Sequence, residues 1–289
     1  MVVEFEAISV PLHPDLVNED AFAVSDDGFF VALVDGHGTK WKSDGTKAKK
    51  DARIQLFSNA VATLLVEGFD ANPYVQRLPA LFDRVAKKVD AQFKPMIGEV
   101  DAEGQELQSV GAVVSCVSVT EDAIHLAHAG DCRLYASNDP GRGYRLLTMD
   151  HNGKNPSEVV RLAALDLDHR LRFQLDRRRK PRLHYRQSDG YWPGSIAVTR
   201  GFGNWQHYQP MLTHAPEVLQ FALSDFEPGT IFALCTDGGN QIVQSLFVDM
   251  SSWDIGVPLQ DVMREVVKRI KKRGQFDDVT ILLFRVVPG

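Results

Sequence analysis

Asp35 and His37 stand two residues apart in the run Asp35-Gly36-His37-Gly38, where the apolar stretch 29–34 (FFVALV) meets turn-forming residues. A carboxylate can hold a cation and an imidazole can give up a proton near neutral pH, so the pair at a strand edge reads as a site. A second apolar run, 231–236, leads into Asp237-Gly238-Gly239, and a third begins directly after Asp277-Asp278. Asn18-Glu19-Asp20 precedes the apolar residues that follow it in the same manner. One such aspartate alone is a turn or cap residue. Several gathered at the edges of buried strands would repel and shift each other's pKa unless a cation neutralised them. Carboxylates without an accompanying Cys or His cluster suit hard, oxygen-seeking Mg²⁺ or Mn²⁺ better than Zn²⁺.

The elements that must position these residues show in the apolar pattern. Residues 29–34 are apolar without alternation, as in a strand covered on both faces, and the strand is expected to end at Asp35. Helical spacing then puts Ile54, Phe57, Val61, Leu64 and Leu65 on one face, with Gly68 as the expected C′ stop. Val75, Leu78, Phe82, Val85 and Val89 do the same for a second helix, with Pro73 early and Pro79 either near its start or kinking it. Strands follow over 112–119, 123–129 and 132–136, the last two hinged at Gly130-Asp131. Asn155-Pro156-Ser157-Glu158 has the form of a capping box opening a short helix. An irregular basic stretch, 170–186, carries Arg177-Arg178-Arg179-Lys180-Pro181-Arg182. A final helix over 259–273 is basic at its C-terminal end, stops at Gly274 and precedes the Asp277 strand. Runs of strands separated by pairs of helices, without regular alternation, predict an α+β layered architecture.

Composition narrows the class. The chain has 289 residues, 44% hydrophobic and 24% charged, enough for a large core. A formal net charge of -6 excludes the overall basic footprint of a general nucleic-acid binder. Cys116, Cys132 and Cys235 show no metal-type spacing and are expected to be reduced, structural thiols. No basic leader and no apolar run of membrane-spanning length is apparent, so the expectation is a cytoplasmic protein with no membrane partner. With no repeat or linker, residues 1–289 read as a single domain, with a basic flap-like insertion at about 168–192.

Several short motifs, in order, resemble those of the metal-dependent type 2C serine/threonine protein phosphatases. They are Asn18-Glu19-Asp20-Ala21, Val34-Asp35-Gly36-His37-Gly38, Ala129-Gly130-Asp131-Cys132-Arg133, Leu147-Thr148-Met149-Asp150-His151, Ala197-Val198-Thr199-Arg200-Gly201-Phe202-Gly203, Thr236-Asp237-Gly238 and Phe276-Asp277-Asp278-Val279-Thr280. The resemblance spans nearly the whole chain. It implies a four-layer α-β-β-α sandwich with a binuclear Mg²⁺ or Mn²⁺ site at one edge. Asp35 then resembles the carboxylate bridging both metals, with Glu19, Asp237 and Asp277 as further ligands and the Gly36 carbonyl as the protein ligand of the other ion. Asp20 would act through water, Asp131 resembles the residue for a third, weaker metal, and His37 resembles the general acid. Two cations roughly 3.5 to 4 Å apart can bind phosphoryl oxygens and acidify a bridging water for in-line attack, so no protein nucleophile is needed.

The resemblance implies a hydrolase that dephosphorylates phosphoserine or phosphothreonine on protein substrates in signalling, as a monomer. His151 and Arg200 read as structural. The chain also departs from the family's pattern. Asp15 occupies the position of a phosphate-gripping Arg, and an acidic residue there cannot donate. Thr39 replaces a Gly after Gly38, Asn204 an Asp after the Arg-x-Phe-Gly motif, and Gln241 a further Asp. The basic stretch is either a solvated loop or a flap that supplies the cation missing at position 15. Two alternatives stand beside the phosphatase: a phosphoprotein-binding module of the same fold with little turnover, and a hydrolase of small phosphate esters. The retained set of Glu19, Asp35, Asp237 and Asp277 favours activity, since clustered charges are costly to keep without use.

Overall fold

Long apolar strands carry the chain back and forth between two antiparallel sheets, and pairs of amphipathic helices cover the outer faces. The computed structural model describes residues 2–41, 51–70, 73–101, 104, 106–138, 143–165, 171–175, 181–185, 195–205, 211–250, 256–274 and 277–287. In chain order the first elements are β1 (Val2–Val10), β2 (Ala21–Val24), β3 (Phe30–Trp41), α1 (Ala52–Asp70) and α2 (Leu78–Phe93). Then come β4 (Glu106–Val119), β5 (Ala123–Ala129), β6 (Arg133–Ser137), β7 (Tyr144–Leu146) and α3 (Pro156–Leu165). Short strands β8 (Leu171–Leu175), β9 (Pro181–Tyr185), β10 (Ser195–Ile196) and β11 (Phe202–Gly203) precede β12 (Glu217–Ala222) and β13 (Ile231–Cys235). The chain closes with α4 (Asn240–Met250), α5 (Leu259–Arg273) and β14 (Val279–Val287).

One sheet has the order β1-β14-β13-β6-β7, and the other runs β12-β5-β4-β3-β2 with β11 added to β4. Between them lies a core that includes Leu33, Val113 and Leu126 from one sheet and Leu134, Phe232 and Leu282 from the other. The alternate residues Ala32, Val34 and Val114 face α1 and α2, where Phe57, Val61 and Phe82 cover them. On the far side Ala233, Leu283 and Tyr135 pack beneath Val243, Phe247 and Val266 of α4 and α5. The expected four layers are thus present, and each large apolar side chain fully buried in them contributes roughly 1.5–3 kcal/mol. No helix among the described residues is long and apolar enough to cross a membrane.

Four local expectations are corrected. β3 does not stop at Asp35. It continues to Trp41, with Asp35 opposite Val113 and His37 opposite Gly111 on β4. The glycines that read as turn formers serve close packing instead: a Cβ on Gly36 would overlap Ser58 Oγ of α1 and the Glu19 carbonyl oxygen. Because side chains alternate along a strand, Gly36 and Gly38 meet the helix while Asp35 and His37 face the inter-sheet side. Gly68 is not the end of α1, which runs on to Asp70; a Cβ there would overlap Leu81 of α2. At α3, Asn155 Oδ1 does accept the Ser157 N–H at 3.1 Å. Glu158, however, turns inward to accept from Arg161, Thr199 and Arg200, so the reciprocal half of the capping box is replaced by a buried ion-pair hub. The basic stretch is not wholly irregular: β8 and β9 pair within it and form a separate three-stranded sheet with β10. Arg177, Arg178, Arg179 and Lys180 lie outside the described residues.

Candidate active site

The ends of both sheets converge on one edge of the sandwich. The connection from β1 to β2 crosses between sheets and carries Glu19 and Asp20, while the β5–β6 turn crosses back and carries Asp131. β13 runs into a short turn of helix at Asp237–Gly239, and Asp277 stands just before β14 at the same edge. From these segments Glu19, Asp35, Asp131, Asp237 and Asp277 line a single cavity of roughly 520 Å³, together with Gly36 and His37. Every residue expected to bind metal is there except Asp20, which is buried behind the wall.

Asp20 and Asp278 hold the wall together. Asp20 Oδ2 accepts hydroxyl hydrogen bonds from Thr236 at 3.0 Å and Thr280 at 2.9 Å, tying the Glu19 segment to the strands beside Asp237 and Asp277. The buried Asp278 carboxylate accepts the Leu12 and Glu19 backbone N–H groups, each at 2.7 Å. Glu19 Oε1 accepts the Asp51 N–H at 3.0 Å, at the entry to α1. His151 fixes the Asp131 turn: its N–H donates to the Gly130 carbonyl at 2.8 Å and its Nδ1 accepts the Gly130 N–H at 3.1 Å. Its structural reading therefore fits.

Of the adjacent pair, Asp277 lines the cavity, its Oδ1 also accepting the Asp278 N–H at 2.9 Å, while Asp278 ties down the β1–β2 connection. Asp278→Asn should lower stability by about 1.5–3 kcal/mol, the range for hydrogen bonds to charged groups, because an amide can accept only one of the two N–H groups well. Asp277→Asn should leave the denaturation midpoint near wild type and weaken Mn²⁺ affinity more than Asp278→Asn does. Measuring both properties for both variants checks the assignment; a reversed order in Mn²⁺ affinity would place the ligand at Asp278.

The electrostatics suit a cation. Burial pushes the Asp35 carboxyl well above the usual carboxylate range, and the charges of Asp20, Asp237, Asp131 and Asp277 push it further. Asp20 is raised to about 7, first by burial and then by Asp278 and Asp277, against the opposing Thr280 and Thr236 hydroxyls. Among the described residues no three Asp, Glu, His or Cys side chains are drawn together closely enough to ligate an ion as they stand. The donor set is all oxygen, and so fits Mg²⁺ or Mn²⁺.

His37 is held by a residue far away in sequence. Asn204, buried and in the left-handed conformation (φ 56°), places Nδ2 2.8 Å from His37 Nε2. As oriented, the amide donates and leaves Nε2 unprotonated. Burial, and then the charge of Arg182, lowers the His37 pKa to about 4. The segment that delivers Asn204 is clamped on both sides: Arg200 donates to Glu158 Oε1 at 2.7 and 2.8 Å, and Trp205 Nε1 donates to Asp90 at 2.6 Å. Arg200 is structural, as its sequence context implies.

The family model for protein phosphatase 2C matches residues 19–238. The chain belongs to the protein phosphatase 2C family. No curated protein sequence matches it. Its fold is similar to that of a Toxoplasma gondii serine-threonine phosphatase 2C, with a TM-score of 0.65 at 14% identity, covering 98% of this chain and 94% of that one. A serine/threonine phosphatase of S. agalactiae gives a TM-score of 0.61 at 17% identity, over 99% of this chain and 100% of that one. The catalytic domain of the protein phosphatase PstP, in complex with two manganese ions, gives 0.54 at 16% identity over 99% of each chain. This protein phosphatase 2C chain has its own arrangement of cations. Asp15 lies at a site 89% exposed, with its carboxylate 3.4 Å from His13 Nδ1, and is not part of the cavity wall. Arg182 is part of that wall, and it is the only Arg or Lys among the described lining residues. In the sequence Arg182 cannot be told from its basic neighbours, and nothing local links Asn204 to His37.

Proposed function

We propose that the chain hydrolyses phosphoserine and phosphothreonine esters on proteins in a reaction that depends on Mg²⁺ or Mn²⁺. The observation that carries this reading is the gathering of Glu19, Asp35, Asp131, Asp237 and Asp277 around one cavity beside His37. Glu19, Asp35, Asp237 and Asp277, with the Gly36 carbonyl, would hold two divalent ions, and Asp131 a third. Bound there, the ions supply Lewis acidity toward the phosphoryl oxygens and toward water. The chain's own residues do the rest. Asp20 and Asp278 fix the backbone from which the ligands project, and the glycines of β3 allow α1 to back the site closely. His37 lines the cavity and would act as proton donor to the leaving oxygen. A phosphate dianion beside the ring would favour the imidazolium that this role needs. We take the whole chain, 1–289, as one catalytic unit acting as a cytoplasmic monomer.

The test is phosphate release from phosphoserine and phosphothreonine peptides. Release is expected with Mn²⁺ and should disappear with EDTA and return on adding Mn²⁺. Tight peptide binding with no release under any metal condition would favour the binding module instead, and release from small aryl phosphates but not from peptides would favour a small-ester hydrolase.

A further inference from the structure

We propose that Arg182 is the guanidinium that grips the substrate phosphoryl group in this chain, a refinement that rests on the phosphatase reading. The cavity wall is otherwise acidic: five carboxylates line it, and Arg182 is the one permanent cation among the described lining residues. Ion binding would neutralise the carboxylates but would not by itself orient a phosphate. A planar guanidinium offers two parallel N–H donors to two phosphate oxygens, which fixes orientation as well as charge. Asp15 cannot serve, because its acidic side chain points to solvent beside His13.

The placement of Arg182 is built into the fold. It lies on β9, whose next residue, Leu183, is buried in the inter-sheet core with Ile196 and Val198. With Leu183 anchored in the core, β9 is held at the cavity's edge, and Arg182 reaches the cavity wall. Leu183 pairs with Ile196 on β10, and Ser195 and Ile196 also reach the cavity wall, so the three-stranded sheet presents the arginine from a fixed edge. Arg182 and His37 line the same cavity, so the guanidinium and the proposed proton donor border the same space.

Calorimetric titration of inorganic phosphate into the Mn²⁺-loaded protein tests the assignment apart from turnover. Arg182→Gln should raise the phosphate Kd by about tenfold to a hundredfold, as expected for losing hydrogen bonds to a charged group. Arg182→Lys should fall between, since it keeps the charge but loses the fork. Arg84→Gln, an exposed change on α2, should leave Kd unchanged. The KM for a phosphopeptide should rise in parallel with Kd while kcat changes less, because an anchor holds ground and transition states alike. If Arg182→Gln does not fold, the lysine variant carries the comparison. An unchanged Kd in a folded, metal-loaded Arg182 variant overturns the proposal, as does a wild type with no measurable phosphate affinity. A wild type that binds phosphate through Arg182 but releases none from phosphopeptides would sink the hydrolase reading and leave the anchor standing. Normal turnover with an unchanged KM in Arg182→Gln would do the reverse.

Discussion

Asp35→Asn is expected to reduce Mn²⁺-dependent phosphate release by about a thousandfold or more while the protein remains folded. The carboxylate proposed to touch both ions becomes an amide with one oxygen and no charge, and the Lewis acidity at stake is worth several kcal/mol, each 1.36 kcal/mol being tenfold in rate. Folding should survive because the substitution removes a burden in the metal-free state. The Asp35 carboxyl is desolvated at the cavity wall and crowded by the charges of Asp20, Asp237, Asp131 and Asp277. In EDTA the variant's melting temperature should therefore equal or exceed that of wild type. In saturating Mn²⁺ the order should invert, because only wild type gains the full stabilisation of bound ligand. Melting curves in both conditions, with phosphate release measured alongside, separate loss of ions from loss of fold. A folded variant with wild-type Mn²⁺-dependent turnover would remove Asp35 from the site.

The second large effect belongs to His37. His37→Ala should slow hydrolysis of a serine or threonine phosphoester by about 10² to 10⁴, the usual worth of general acid catalysis, and an activated aryl phosphate far less, since its leaving group needs little protonation. Asn204→Ala should show the same selectivity in weaker form, because the amide lies 2.8 Å from His37 Nε2 and orients the ring. In the His37→Ala background Asn204→Ala should add little, the signature of two residues acting through one function. The pH dependence has a definite sign. With the ring's pKa lowered to about 4, the free protein loses the imidazolium as pH rises through that value. Bound phosphate dianion opposes this, so the descending limb should lie at higher pH in kcat, which reports the complex, than in kcat/KM. Equal losses on both substrate classes would assign His37 to positioning or ion support.

The layered fold was legible because its strands are apolar on both faces and its helices on one, so Leu33, Phe57 and Val266 declare their environments locally. The carboxylates were legible as members of short motifs, and their meeting at one edge follows from strand ends that the pattern also marks. What local pattern could not show was decided by packing. Gly36 and Gly38 look like a strand terminator, yet they are the places where α1 approaches β3. Glu158 has the spacing of a capping residue, yet Arg161, Thr199 and Arg200 draw it into the interior, where burial raises its pKa and those donors more than compensate, leaving it at about 2. Asp15 sits where an arginine is expected, but the chain turns it outward, while Arg182 of β9 lines the cavity. Such substitutions of one element's role by another leave no local trace, because only the folded chain brings Asn204 and Arg182 to His37.

The most direct check is the number of Mn²⁺ ions bound per chain, measured by equilibrium dialysis on wild type, Asp35→Asn and Asp277→Asn. Wild type is expected to bind two ions, with a third only at higher concentration, and each variant should lose at least one ion, Asp35→Asn the most. Wild type that binds no Mn²⁺, or an Asp35→Asn protein that binds as many ions as wild type with the same affinity, would contradict a divalent-metal centre built on these carboxylates.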